Sequence, residues 1–314
     1  MKVLFLQLAH QENDDRVRYH QCVSLEKAGH TCFFSSEADF TIHPDIIICD
    51  IPIAVWRARR TFGRKTPIVY DITEWYPSKK NMRNTKTFFR PIKYCLLMLA
   101  NYWAGWSANA FIFGEYYKAR PFKMFFPWKR HLFLPYYPSL QYIQPTDPRS
   151  LEEEIRLLYA GPRTAEKGFL RIQRVKQLCE TMMPNRRIIL TAINEISFEE
   201  FCKEITHHDI FLDLRDDDME NTHCLPIKLF YYMAAGRPVI YSDLKAIRRG
   251  VPEIADDSLV KPDDLEHVAA MLCELANQPS LFLAICARNR QLAEKYYNWE
   301  HLEKMFVESI ERFI

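Results

Sequence analysis

The sequence predicts an α/β chain of two similar units in tandem. Three observations carry that expectation. Short apolar, β-rich runs recur along both halves, longer helix-compatible segments separate them, and the alternation breaks once, over residues 136–150, before it starts again. Parallel strands joined by crossover helices produce this pattern, because a strand buried on both faces reads as a continuous apolar run.

A length of 314 residues fits two domains. With 48% apolar and 26% charged residues the chain can bury a sizeable core, which excludes extensive disorder, collagen and coiled coil. In the first half the apolar runs fall at residues 2–8, 31–35, 45–49, 67–70 and 109–113. The segment YYPSLQYIQPTDPRS (136–150), with three prolines, reads as a connection and assigns residues 1–143 to a first domain and 151–296 to a second. Strands are then expected at 155–160, 187–191, 210–214 and 238–241, with helices from about Lys167 and Leu225. The 21 residues 94–114 carry no formal charge, enough to suggest a membrane span. Asn101, Ser107 and Asn109 interrupt them, so a helix ending near Ser107 and a strand at 109–113 are expected instead.

Charge and cysteine use narrow the function. A net charge of +2 argues against nucleic acid as a partner, while residues 1–143 carry +9 and the remainder −7. Nine cysteines, scattered singly from Cys22 to Cys286 and never as CxxC, suit a reducing cytosol rather than a disulfide framework or a zinc site. The opening apolar run is too short for a signal peptide and reads as a first strand, so a cytoplasmic location is expected.

The strongest local motif is LLYAGPRTAEKG (157–168), where an apolar run ends at Gly161 and a helix begins near Lys167. A helix amino terminus after a strand offers free amides and a positive dipole end, to which Arg163 and Lys167 add cations, a combination suited to a diphosphate. An ordinary turn with solvated basic residues is the plainer reading. In residues 211–243 a second polar loop, Asn221 to Cys224, leads into a helix starting near Leu225 with Pro226 in its first turn. The amides around Thr222 and His223 are then expected to face the same ligand. Lys228 and Tyr231, three apart, share a helical face, while Leu229, Phe230 and Met233 suit the core.

Taken with GPRTAEKG, the run LPIKLFYYMAAGRPVIYSD resembles the donor-binding half of GT-B glycosyltransferases of the GT4 type. DDRVRYHQCVSLEKAGH (14–30), YDITEWYP (70–77), LPYYP (134–138) and YNWEHLEKMFVESIERF at the end are similar to further family segments in the same order. The resemblance implies two Rossmann-like domains with a cleft between them, and a terminal helix, 297–314, crossing back to the first. It also implies transfer of a sugar from a nucleotide-diphosphate sugar, with retention at the sugar carbon, no cofactor beyond that donor, and no metal. Two departures stand out. The family's E-x7-E carboxylates, which hold the donor sugar and the ribose, fall on His223 and Tyr231, and the histidine of its YDxHE segment is Thr73. A tyrosine can bind a hydroxyl or lie against a sugar, but it offers less acceptor capacity than a carboxylate and no charge. Packing on the core is the alternative reading of Tyr231. The Asp216 and Asp218 pair has DxD spacing, for which a solvated acidic loop is the favoured reading over a divalent ion site.

The first domain is expected to supply the acceptor side. His10 and Asp14 to Arg16 follow the first strand, and Asp71 and Glu74 the strand at 67–70, which places them at one sheet edge; capping by Asp14 or an ion pair of Arg16 is the structural alternative. Asp15, Glu74 and His10 are the candidate bases, and an inverting transferase using one of them is the enzymatic alternative. Residues 117–131 interleave Lys118, Arg120, Lys123, Lys129 and Arg130 with Phe122, Phe125, Phe126 and Trp128, which suggests contact with an anionic membrane at the inner face of the plasma membrane, ahead of a loop folded onto the core and well ahead of nucleic acid. The expected function is a glycosyltransferase of surface polysaccharide biosynthesis acting on a glycan or lipid-linked acceptor. A catalytically degenerate binding or scaffold subunit is the alternative that the missing carboxylates support.

Overall fold

A computed structural model describes residues 1–6, 16–36, 41–73, 77, 82 and 85–313. The chain divides into two compact units, Met1–Tyr136 with His301–Ile314, and Tyr137–Glu300.

The first unit has six parallel strands, β1 (Lys2–Leu6), β2 (Thr31–Ser35), β3 (Ile46–Cys49), β4 (Ile68–Ile72), β5 (Ala110–Phe113) and β6 (Arg130–Phe133), in the order β2-β1-β3-β4-β5-β6. The central strands β3, β4 and β5 are buried at every position, the signature of a sheet covered on both faces. Its helices include α1 (Arg16–Lys27), α2 (Pro52–Phe62), α3 (Arg90–Ser107) and α4 (Tyr116–Phe125). Residues 94–114 thus split into a helix and a strand as their composition predicts.

The second unit has five parallel strands, β7 (Glu154–Ala160), β8 (Arg187–Ile193), β9 (Ile210–Asp213), β10 (Val239–Ser242) and β11 (Leu259–Val260), in the order β11-β10-β9-β7-β8. Counted from its own first strand, each unit shows the order 2-1-3-4-5, and the first adds a sixth. Successive residues of β7 serve opposite core layers: Leu157 and Tyr159 pack with α5 (Phe169–Met182), Leu158 and Ala160 with α7 (Ile227–Ala234). Between these helices lies α6 (Phe198–His207), whose start is fixed by a capping box of Ser197 and Glu200. The helices α8 (Leu265–Asn277) and α9 (Pro279–Lys295) follow β11.

The last helix, α10 (Trp299–Arg312), returns to the first unit. Phe306 and Ile310 are fully buried, and Lys27–Glu303 and His30–Glu311 pairs tie its surface down.

Candidate functional site

In a doubly wound sheet a ligand crevice forms at the carboxyl ends of the two strands between which the winding reverses. In the second unit these are β7 and β9, and the loops that follow them are stitched together. Gly168 makes this possible. It sits at φ +80° between a short 3-10 turn, Ala165–Lys167, and α5, and an added Cβ would lie 2.0 Å from the carbonyl oxygen of Leu214, just past β9. Arg171, in the first turn of α5, bonds Asp216 at 2.6 Å and also pairs with Asp263. Tyr159 donates to the Pro162 carbonyl at 2.7 Å and pins the loop from below.

Two lysines from different elements reach the loops after β7 and β9. Lys228, the second residue of α7, reaches back to donate to the Ala160 carbonyl at 2.5 Å, next to Gly161. Lys167 donates to Asn221 Oδ1 at 3.2 Å. Both charges are therefore met by neutral oxygens. Burial lowers the Lys228 pKa; Asp213 acts against this, while Arg215 and Lys167 lower it further. Arg215 is itself held by both carboxylate oxygens of Asp213, which also accepts from Tyr241. Arg163 stands exposed, donating to the Ala192 carbonyl at 3.0 Å with its guanidinium over the Phe169 ring. The helix geometry leaves the Leu170 and Arg171 amides without partners inside α5, so backbone dipoles and cations share one edge.

Other expected residues have different roles. Thr222 ends a short turn, Met219–Thr222, and its amide donates to the Asp218 carbonyl, so this segment presents no free amide at Thr222. His223 lies half-buried just beyond it. The helix starts at Ile227, two residues later than its sequence suggests, and Leu225 packs against the core beside Gly250. Tyr231 is 7% exposed, its ring set edge-on to Phe198 and Phe201. That shared face of α7 is core, because Leu229 through Ala234 are all buried. Asp216 is engaged by Arg171, and Asp218 accepts from the Asn221 amide, so the DxD pair is spent on the loop.

In the first unit, His10, Asp14, Asp15 and Glu74 lie outside the described residues. Asp71 belongs to β4 and is fully buried. It accepts from Arg18, from Gln21 at 3.1 Å and from the Tyr136 hydroxyl at 2.9 Å, and Arg18 also bonds Gln21. Burial and the adjoining Asp71 push the Tyr136 pKa well up. This buried network at the carboxyl edge was hidden in the sequence, since Arg18 and Asp71 are 53 positions apart. The basic, aromatic stretch 117–131 is also divided. Phe122 and Phe126 are core residues, 2% and 6% exposed, which removes them from any membrane contact, whereas Phe125 and Trp128 face solvent.

No protein-family model matches the chain, and no curated protein does. Among solved structures it is similar to sucrose-phosphate synthase from Thermosynechococcus elongatus, with a TM-score of 0.70 at 12% identity over 99% of both chains. It is similar to Anabaena HepE, solved in complex with UDP-glucose, with a TM-score of 0.69 at 11% identity over 99% of this chain and 100% of that one. WaaG, a glycosyltransferase involved in lipopolysaccharide biosynthesis, aligns with a TM-score of 0.61 at 12% identity over 98% of each. At these identities the likeness is one of architecture: the chain has the GT-B fold, with two Rossmann-like units and a carboxyl-terminal helix.

Proposed function

We propose that this protein is a glycosyltransferase moving a sugar from a nucleotide-diphosphate sugar to a glycan or lipid-linked acceptor, with the donor diphosphate seated between the loops after β7 and β9. One observation carries the reading. Lys167, on the loop after β7, and Lys228, on α7, hold their ammonium groups on neutral oxygens of Asn221 and Ala160, with α5 starting two residues after Lys167. Such a site suits a dianionic group, and the UDP-glucose in HepE supports the donor class. The chemical step is departure of the nucleoside diphosphate from the sugar carbon. Cations and backbone dipoles already in place would stabilise the growing charge without moving a proton. The replaced carboxylates leave ribose and sugar recognition to other groups than in the resembling family, and retention of configuration is the expected outcome, readable by NMR of the product anomer.

Calorimetry with UDP, GDP, CMP and dTDP sugars tests the reading. At least one should bind, and Lys167→Ala and Lys228→Ala should each weaken the diphosphate about 10- to 100-fold, the worth of one charge-assisted hydrogen bond, while leaving the nucleoside unaffected. A folded sample silent across the panel would overturn the proposal in favour of a scaffold subunit.

A further inference from the structure

The helix α3 is anchored by a narrow edge. Asn101, Ala104 and Gly105 are its buried residues, and from Arg90 to Ala100 none is buried. Its opposite side is apolar nonetheless. Phe89, Ile92, Leu96, Leu99, Trp103 and Trp106 are 53%, 55%, 61%, 64%, 41% and 68% exposed. Their spacing of three and four residues places them on a single stripe about 26 Å long. The end of α4 widens the stripe, with Phe125 against Tyr102 at 4.7 Å between ring centroids and Trp128 against Trp106 at 6.3 Å. A contiguous apolar surface of this length on a folded unit calls for something to cover it.

Charge identifies the cover. Residues 79–130 hold eleven Lys and Arg and one acid, Glu115, which is buried and paired with Lys118 at 3.2 Å. At the carboxyl end of α3 lies a cavity of about 1000 Å³ lined by Arg59, Arg64, Lys129 and Arg130 together with Trp106 and Trp128. Two of these cations cap the helix: Lys129 donates to the carbonyls of Gly105, Trp106 and Ala108, and Arg59 to that of Ser107. No acidic side chain is among the described residues lining the cavity, and burial, with Arg59 adding to it, lowers the Lys129 pKa to about 8. Arg64 stands at its exposed margin. A second copy docking through the same face would bring like charges together, as a two-fold interface pairs a patch with itself. An anionic bilayer satisfies both parts, taking the apolar stripe and the tryptophans at the acyl boundary and a phosphate among the cations. Among the described residues no single helix is long and apolar enough to cross a membrane, so α3 would lie along the surface.

We propose that the outer face of α3 seats the first unit on an anionic membrane, and that the cavity at its carboxyl end receives a phospholipid headgroup phosphate. The surface differs from the 117–131 stretch suggested by composition, of which it keeps Phe125, Trp128, Lys129 and Arg130. It stands independently of the transferase reading.

Flotation with vesicles rich in phosphatidylglycerol, compared with pure phosphatidylcholine, is the test, with tryptophan quenching by brominated acyl chains as a second reading. Wild-type protein should float with the anionic vesicles and be quenched. The triple variant Leu96→Ser, Leu99→Ser and Trp106→Ser, all at exposed positions, should lose at least tenfold in partitioning at unchanged thermal stability. Arg64→Gln with Arg130→Gln should lose about fivefold per charge and with it the preference for the anionic lipid. Wild-type protein that stays unbound with anionic vesicles would overturn the proposal. So would a dimer in sedimentation that the triple variant converts to monomer, since the face would then belong to a second copy. Binding unchanged in the Arg64 and Arg130 variant would remove the headgroup site. Nucleotide calorimetry on the same variants should be unaltered, which separates failure here from failure of the donor site.

Discussion

The carboxyl edges of the two sheets share a winding order and differ in how their charges are answered. In the first unit, Arg18 meets the carboxylate of Asp71 inside a network completed by Gln21 and Tyr136, all of it buried. In the second, Lys167 and Lys228 rest on an amide oxygen and a backbone carbonyl. A charge paired in a dry interior is structural, because losing either partner strands the other. A charge held on neutral oxygens at a crevice retains its attraction for an anion. The second unit also holds a paired charge, Arg215 on Asp213, but adds two lysines on neutral oxygens, and these are the groups that the proposed function assigns to phosphate.

Asp71→Ala gives the sharpest test of this contrast. It strands Arg18 and should cost about 3–5 kcal/mol in denaturant unfolding, and an unchanged midpoint would deny the structural role. Gly168→Ala comes next. The positive φ alone costs about 1–2 kcal/mol, and the displaced Leu214 carbonyl adds to it, so both thermal stability and diphosphate affinity should fall. A smaller effect is the pH dependence of diphosphate binding. Lys228 has a lowered pKa, and a bound anion raises it again, so binding takes up a proton between the two values. Affinity should be complete below the free-state pKa and decline as pH rises through it, before the ordinary lysine range is reached. Lys228→Met should remove that decline in calorimetry. The smallest change is expected for Arg163→Ala. An exposed cation contributes about 0.2–1 kcal/mol, so diphosphate affinity should drop no more than about fivefold.

The runs that became β1, β3, β4, β5, β7, β9 and β10 were legible because strands covered on both faces are built mostly from apolar side chains. The edge strands β6 and β11 were not, being short and, in β6, largely exposed. Gly161 and Lys167 were legible as the end of a strand and the approach to a helix. Tyr231 was ambiguous because a three-residue spacing shows that two side chains share a face without showing whether that face meets water. In α7 nearly every face is buried, so there is no polar side to orient it. The same limit explains Phe122 and Phe126, one helical turn apart and inward, against the outward Phe125. For α3 the pattern contains apolar residues on both sides, and only packing distinguishes the edge against the sheet from the stripe left outside.

The return of α10 constrains how the chain can be made. The Lys27–Glu303 and His30–Glu311 contacts join positions 276 and 281 residues apart, and Phe306 and Ile310 fill space in a unit whose strands were all synthesised long before. During translation the leading unit must wait, unfinished, until the whole trailing unit has left the ribosome. The loop closed by that late helix makes completion of the first unit a slow, non-local event, and the trailing unit, whose residues are contiguous from Tyr137 to Glu300, is free to mature before it.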